Sequence, residues 1–137
     1  MINLWNVSEL SEMNLPPCLF NYQFLVDTNR KELNLVISQR SGDLMLGIPF
    51  NIASASLFLM LVAKTCDLKA NKLVHNIGDL HIYKNHLEFV DEILHNTEYD
   101  LPTVKINKKD KITDYTLDDI QLIGYQSNKF YKMPLAV

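Results

Sequence analysis

The first third of the chain contains two stretches whose apolar positions predict a β-hairpin. Residues 19–26 are rich in aromatic and aliphatic side chains, which is typical of a strand. A polar turn follows at residues 27–31. Leu33, Leu35 and Ile37 then recur at every second position, the spacing of a half-buried strand. The pattern therefore predicts two adjacent strands joined by a short turn.

A long apolar segment after Pro49 predicts a helix. Pro49 interrupts the strand pattern, and residues 51–65 that follow are apolar almost all round. A helix without a polar face is normally covered by other elements. We therefore expect this helix to be buried.

The rest of the chain alternates short strands and helices. Residues 72–80 have strand character, and residues 104–106 alternate apolar side chains with a lysine, as in an edge strand. Residues 83–95 predict an amphipathic helix, and Thr116 is placed to cap a helical turn. Residues 121–125 return to strand. The expected fold class is α+β, a mixed β-sheet with a large buried helix, and a chain of 137 residues suits a single domain spanning 1–137.

Composition argues against several classes of protein. A formal net charge of −3, with the charges dispersed, gives no broad surface for nucleic acid. Cys18 and Cys66 lack the spacing of a disulfide framework or a zinc site, so no metal is expected, and Cys66 is interpreted as an inert, buried or half-buried thiol. The longest apolar run, residues 57–63, is shorter than the ~20 residues of a membrane helix, and no signal-peptide pattern is visible. We expect a cytoplasmic protein with no membrane or nucleic-acid partner.

Cys18 is the candidate nucleophile. The thiolate is the form that attacks, and a nearby positive charge favours it. The predicted hairpin would bring Cys18 and Arg40, which flank its open end, to one rim of the sheet. Arg40 and Ser41 also suit a phosphate group, because a guanidinium and a hydroxyl both donate to phosphate oxygens. Taken alone, such residues are more often a buried cysteine and a surface arginine that ends a strand.

Asn51, His81 and Tyr83 are candidate nucleotide contacts. The Asn51 amide can both donate and accept, so it suits a pyrimidine edge, and it is equally a helix N-cap. His81 and Tyr83 stand two apart on a predicted extended segment, so their side chains should face the same way. A packed histidine is the plainer alternative. Three other histidines show no partner pattern and are interpreted as structural or exposed: His75, His86 and His95.

Longer motifs follow one another in a fixed order. They are Pro16-Pro17-Cys18, Gln39-Arg40-Ser41-Gly42-Asp43, Gly47-Ile48-Pro49-Phe50-Asn51-Ile52-Ala53-Ser54, Gly78-Asp79-Leu80-His81-Ile82-Tyr83 and Lys132-Met133-Pro134-Leu135-Ala136-Val137. In this order they resemble the C-terminal half of thymidylate synthase, within the thymidylate synthase and pyrimidine hydroxymethylase family. The resemblance runs from about Trp5 to the last residue.

The resemblance implies a methyltransferase that acts on deoxyuridylate. Cys18 would add to C6 of the uracil ring and make C5 an enolate-like nucleophile, with Arg40 favouring the thiolate. The co-substrate 5,10-methylenetetrahydrofolate would supply both the one-carbon unit and the hydride. An asparagine at position 51 matches uracil rather than cytosine. The implied nucleotide site comprises Gln39, Arg40, Ser41, Asp43, Asn51, His81 and Tyr83, and the implied folate site comprises Asp43, Leu46, Gly47, Phe50, Ala136 and Val137.

Two departures from the family pattern affect these expectations. Leu19 stands where a histidine usually follows the catalytic cysteine. The family's N-terminal half, which supplies a phosphate-binding arginine loop and a C5 proton acceptor, has no counterpart in the chain. We therefore expect a homo-oligomer or a complex with a separate N-terminal half, and little activity from this chain alone.

Three interpretations remain open at this point. One is a thymidylate-synthase-type methyltransferase completed by a second half. Another is a non-catalytic domain of the same type that keeps a dimerising sheet or nucleotide binding. The third is a uracil nucleotide hydroxymethylase, which transfers the one-carbon unit without reducing it.

Overall fold

The computed structural model describes residues 1–135, and the chain divides into two compact units, with the boundary between His81 and Ile82. Each unit has its own sheet. The expectation of a single domain stays a prediction.

The first unit is a mixed sheet with one helix packed on it. In order across the sheet, its strands are β1 (Ile2–Asn3), β2 (Leu19–Asp27), β3 (Glu32–Asp43) and β4 (Lys69–His81). β2 and β3 form the predicted antiparallel hairpin, whereas β3 and β4 are parallel. Parallel neighbours need a crossover connection, which helix α1 (Gly47–Thr65) supplies. The predicted α+β class with a mixed sheet is confirmed.

The core lies between one face of β3 and one stripe of α1. The alternating residues of β3 that were predicted to be inward are at most 2% exposed, and the helix residues that meet them recur every fourth position, which places them on one face. The core residues are Leu33, Leu35, Ile37, Ala55, Leu59 and Ala63.

Helix α1 differs from its prediction in two ways. It begins at Gly47 rather than at residue 51, with Pro49 inside its first turn. Proline is tolerated there because the N–H groups of the first turn have no intrahelical acceptor. The helix is also covered along one stripe only, since Phe50 is 75% exposed and Ile52 is 44% exposed. By length and composition alone α1 could cross a membrane, a test that core helices of soluble proteins also pass.

Cys66 corrects the expectation of a buried or half-buried thiol, because it is exposed. The covered stripe of α1 ends with Ala63, and the helix itself ends at Thr65. Cys66 is the residue that follows the helix, so the helical period that buries the stripe no longer decides where its side chain points.

The second unit contains short elements. A 3-10 turn (Lys84–His86) leads into α2 (Leu87–Leu94), so the predicted helix at 83–95 is confirmed over a shorter span. Strands β5 (Thr103–Ile106) and β6 (Ile120–Ile123) pair antiparallel. His86, for which the sequence predicts a structural or exposed role, is fully buried, and its ring nitrogen Nε2 lies 2.7 Å from the carbonyl oxygen of Pro134.

The predicted cap at Thr116 is confirmed and extends into an ion pair. The main-chain N–H of Thr116 donates to Asp119 Oδ2 at 3.0 Å, which completes a capping box. The other carboxylate oxygen of Asp119 lies 2.8 Å from Lys109 Nζ. Asp119 therefore joins the cap of the turn to the loop that follows β5.

Candidate active site

The segment that carries Cys18 is held by three consecutive carbonyl groups. The Arg40 side chain donates from Nη2 to Pro16 O at 2.7 Å, the indole of Trp5 donates to Pro17 O at 3.0 Å, and the Arg40 main-chain N–H donates to Cys18 O at 2.8 Å. Backbone groups bonded in this way leave the chain little freedom. The thiol is thus carried by a hydrogen-bonded segment that bends at Cys18, immediately before β2 begins.

Cys18 lies beside Arg40 at the end of the hairpin, where the strand pattern placed it. Cys18 is half-buried and immediately precedes β2. The register of β2 against β3 shifts between Leu19 and Asn21, which is an irregularity of the kind that re-aims side chains next to functional sites. The Nε atom of Arg40 is buried and has no hydrogen-bond acceptor among residues 1–135. The guanidinium therefore carries one N–H donor that residues 1–135 leave unsatisfied.

Gln39 ends the row of β3 side chains that face α1. It is 4% exposed and follows Leu33, Leu35 and Ile37 at the same period of two. Arg40 is the next residue and borders a groove of about 460 Å³ together with Phe20, Asn76 and Gly78. Gln39 also lines this groove, although successive strand side chains face opposite sides and that of Gln39 turns toward α1.

The Gln39 amide is bonded at both of its ends. Its Nε2 group donates to Ser41 O at 2.8 Å and to Asn51 Oδ1 at 3.0 Å, while its Oε1 lies 2.8 Å from His75 Nε2. Gln39, Ser41 and Asn51 were predicted as site residues, and the structure brings them together. These three residues and His75 are called the amide cluster below.

His75 is the member of the amide cluster that the sequence interpretation missed. It lies on β4 opposite Ile37 of β3. Leu73, His75 and Ile77 are the less exposed positions of that strand and alternate with exposed residues. A histidine inside such an apolar row was the available signal, because a polar ring on a covered face needs a partner. Burial lowers the pKa of His75 from its usual value of 6.5.

Asp43 and His81 lie side by side where two neighbouring strands end. They are paired residues at the ends of the parallel strands β3 and β4, and the N–H of Leu44 donates to His81 O at 2.9 Å. Asp43 Oδ1 accepts from the N–H of Met45 at 3.0 Å, which shapes the turn into α1. His81 Nδ1 lies 3.4 Å from the Asp79 carboxylate. Tyr83 belongs to the second unit, so its predicted alignment with His81 stays a prediction.

The start of α1 brings further predicted residues close to Asp43 and Asn51. A Cβ atom added at Gly47 would lie 3.6 Å from Asp43 Cβ and 3.8 Å from Asn51 Oδ1. Leu46 immediately precedes the helix, and Phe50 is exposed one turn further on. Ala136 and Val137, which were also predicted as folate-site residues, lie outside the described residues.

The predicted residues therefore fall into three neighbouring groups, each of which includes a residue of β3. Cys18 and Arg40 form one group, and the amide cluster forms a second. Asp43, Gly47 and His81 form the third, where β3 and β4 end. Among residues 1–135, no hydrogen bond joins the Cys18 side chain to the amide cluster. Within the same residues, no group of three or more His, Cys, Asp or Glu side chains is placed to hold a metal ion.

Comparison with known proteins identifies the family. The family model described as thymidylate synthase matches residues 1–137. Thymidylate synthase of Staphylococcus haemolyticus is 44% identical over 137 residues, which are 100% of this chain and 42% of the relative. Those of Mycoplasma mobile and Mycoplasma pneumoniae are 44% and 45% identical, again over 100% of this chain and 47% of each relative.

The chain thus spans about half the length of the curated relatives that it matches, with shares of 42% to 47%. The match to the family model nevertheless covers every residue, including the motif that surrounds Cys18 and the motif at the start of α1. This chain belongs to the thymidylate synthase family.

Proposed function

We propose that the chain takes part in the C5 methylation of deoxyuridylate with 5,10-methylenetetrahydrofolate as co-substrate. The observation that carries the proposal is the position of Arg40, whose main chain and side chain hold the segment Pro16–Cys18 on both sides of the thiol. The relatives that match the whole chain are named thymidylate synthases, which supports the same reaction.

In this proposal Cys18 forms the covalent bond to the substrate. The thiolate adds to C6 of the uracil ring, and the electron pair of the C5–C6 bond moves toward C5 and the O4 carbonyl. C5 then attacks the one-carbon unit of the folate. The bond from the one-carbon unit to N10 of the folate breaks as C5 attacks. Loss of the C5 proton then expels N5 of the folate and leaves an exocyclic methylene group on C5. Hydride from the tetrahydrofolate, which becomes dihydrofolate, reduces this methylene to a methyl group as the thiolate leaves C6.

Arg40 and Ser41 are the proposed phosphate contacts. A guanidinium forms charge-assisted hydrogen bonds with phosphate oxygens, and the buried Arg40 Nε has no acceptor among the described residues. A dianionic phosphate needs more donors than these two residues offer. We infer that additional positive groups come from a second polypeptide segment, either another half of the same type or a second subunit.

Asn51 is the proposed reader of the base. Its Oδ1 accepts from Gln39 and keeps a second lone pair, while its Nδ2 group donates. Uracil offers the complement, an N3–H donor beside an O4 acceptor. His81 and Tyr83 are proposed to contact the ribose hydroxyl and Asp43 the pterin ring, with Leu46, Gly47, Phe50, Ala136 and Val137 as apolar contacts of the folate.

The alternatives have less support. The relatives reported above are named thymidylate synthases and none is named a hydroxymethylase, which favours reduction of the one-carbon unit over simple transfer. A non-catalytic domain would have no need of a thiol held beside an arginine. Because the relatives reported above are bacterial thymidylate synthases, we infer a cytoplasmic location.

The test is folate-dependent conversion of deoxyuridylate by the chain, alone and with the N-terminal half of the Staphylococcus haemolyticus relative added in trans. We expect turnover only in the mixture. Cys18→Ser should abolish it, because a hydroxyl is a far weaker nucleophile than a thiolate at neutral pH. Cys66→Ser is the matched control, since Cys66 is the other, exposed cysteine, and it should keep full activity. Turnover that survives Cys18→Ser would overturn the covalent mechanism.

A further inference from the structure

The orientation of the Gln39 amide follows from one main-chain group. The carbonyl oxygen of Ser41 can only accept, so the end of the Gln39 amide that lies 2.8 Å from it must be the NH₂ group. That NH₂ group also lies 3.0 Å from one end of the Asn51 amide, which must therefore be the acceptor Oδ1. The amide orientations of both side chains are thus decided by a backbone carbonyl.

The same reasoning decides the state of His75. The remaining end of the Gln39 amide is the acceptor Oε1, and it lies 2.8 Å from His75 Nε2. That nitrogen must carry the proton, so a neutral ring holds its hydrogen on Nε2 and not on Nδ1. The Nδ1 atom is buried and has no hydrogen-bond partner among the described residues, which leaves no acceptor there for a second proton.

We propose that His75 is a positioning residue that acts through Gln39 to hold the Asn51 amide in the orientation that accepts uracil and rejects cytosine. The inference rests on the proposed function of Asn51 as the base reader. In this proposal His75 contacts Gln39 and not the substrate. The NH₂ group of Gln39 donates to Ser41 O, and the oxygen Oε1 of Gln39 accepts from His75 Nε2. A flip of Gln39 would place its oxygen against the Ser41 oxygen and its NH₂ group against the protonated His75 nitrogen.

Base discrimination follows from this arrangement. Cytosine presents an acceptor at N3 and a donor at N4, so it needs the Asn51 amide turned around. A turned Asn51 would place its NH₂ group against the Gln39 NH₂ group, and two donors would then face each other inside a covered site. Gln39 cannot turn to relieve the conflict while Ser41 O and His75 hold it. Rejection of cytosine therefore depends on His75 as well as on Asn51.

The experiment uses two substitutions of His75 and one control. His75→Gln can keep an N–H donor near the position of Nε2, whereas His75→Leu removes the donor. Leu73→Ala is the control, because Leu73 lies on the same strand and faces the same core without joining the amide cluster. Each protein is mixed with the N-terminal half, and the dissociation constants of deoxyuridylate and deoxycytidylate are measured.

We expect His75→Leu to reduce the preference for deoxyuridylate over deoxycytidylate by about tenfold, the size of one hydrogen bond left unmade in a covered site. His75→Gln should restore most of that preference, and Leu73→Ala should leave the ratio unchanged even where it lowers stability. An unchanged ratio in His75→Leu, or an equal loss in Leu73→Ala, would overturn the inference. A wild-type mixture that binds neither nucleotide would instead contradict the proposed function.

A second measurement needs no nucleotide and no variant. Long-range ¹H–¹⁵N correlation spectra of the histidine rings in the wild-type chain report which ring nitrogen carries the proton. We expect a neutral His75 ring protonated on Nε2, and side-chain NH₂ signals of Gln39 protected from exchange. A His75 ring protonated on Nδ1 would overturn the inference whatever the binding data show.

Discussion

The guanidinium of Arg40 donates a hydrogen bond to the carbonyl oxygen of Pro16 at 2.7 Å, across 24 positions of sequence. The bond ties the segment before the thiol to the second strand of the hairpin. The same residue bonds Cys18 O through its main chain, so Arg40 holds the segment of the candidate nucleophile at two of its three bonded carbonyl groups.

We predict that Arg40→Ala destabilises the chain by about 2 kcal/mol, because a charge-assisted, partly buried hydrogen bond is lost and Pro16 O is left unpaired. Urea unfolding measures this change. Arg30→Ala is the matched control, since the Arg30 side chain is 74% exposed and only 3.8 Å from Asp27 in a surface ion pair. It should cost less than about 0.5 kcal/mol. Equal losses in the two variants would show that the bond to Pro16 contributes nothing specific.

Leu35→Ala should destabilise the chain by about 3 kcal/mol, since Leu35 is 0% exposed and packs between the sheet and α1. Truncation removes buried methyl groups and leaves a cavity. Leu25→Ala, on the partner strand at a position 46% exposed, should cost less than about 1 kcal/mol. The comparison requires thermal or urea unfolding of both variants. A small loss for Leu35→Ala would contradict the assignment of this face as the core.

The ion pair of Asp119 predicts acid sensitivity in the second unit. The hydrogen bond from Lys109 lowers the pKa of Asp119 below its usual 3.8. A lowered pKa means that the unfolded chain takes up the proton first. The stabilising contribution is therefore complete above pH 3.8 and is lost as the pH falls through the lower folded-state pKa. The protection of the β5 and β6 amides against hydrogen exchange, relative to the intrinsic rate at each pH, should fall over that range.

Asp119→Asn should remove this acid sensitivity, because the amide does not titrate and cannot form an ion pair with Lys109. Asp118→Asn is the matched control, since the neighbouring Asp118 is exposed. It should leave the pH profile of β5 and β6 as in the wild type. Identical profiles for all three proteins would show that the Lys109 pair does not stabilise this turn.

His75 predicts a second pH effect, in the first unit. Burial holds the pKa of His75 below 6.5, so the unfolded chain binds a proton there before the folded chain does. Stability should be unaffected by this group above pH 6.5 and should fall as the pH drops from 6.5 toward the folded-state pKa. His75→Leu should flatten that part of the profile, and His95→Gln, at an exposed position of the second unit, should not. A wild-type profile flat below pH 6.5 would contradict the burial of the ring.

The sequence predicted correctly those features that depend only on residues close together in the chain. The period of two in Leu33, Leu35 and Ile37 requires only that one face of a strand be covered, and the structure covers that face. The cap of Thr116 by Asp119 spans three positions and needs no distant partner. The predicted start of α1 at residue 51 is wrong, because proline does not break a helix at its first turn and α1 begins at Gly47.

The sequence by itself determined the hairpin, the inward row of β3, the presence of a long apolar helix and the motifs that place the chain in its family, because each depends on local periodicity or on residue identity. Only the tertiary structure decided that β4 runs parallel to β3, that His75 reaches Gln39 across 36 positions, and that Arg40 holds Pro16. The first two depend on which strands become neighbours after the α1 crossover, and local periodicity carries no information about that choice. The third depends on how the segment before β2 folds back onto the hairpin, which the strand pattern does not describe. The candidate nucleophile was therefore readable from its motif, whereas the side chain that orients the base reader became visible only once the strands were paired.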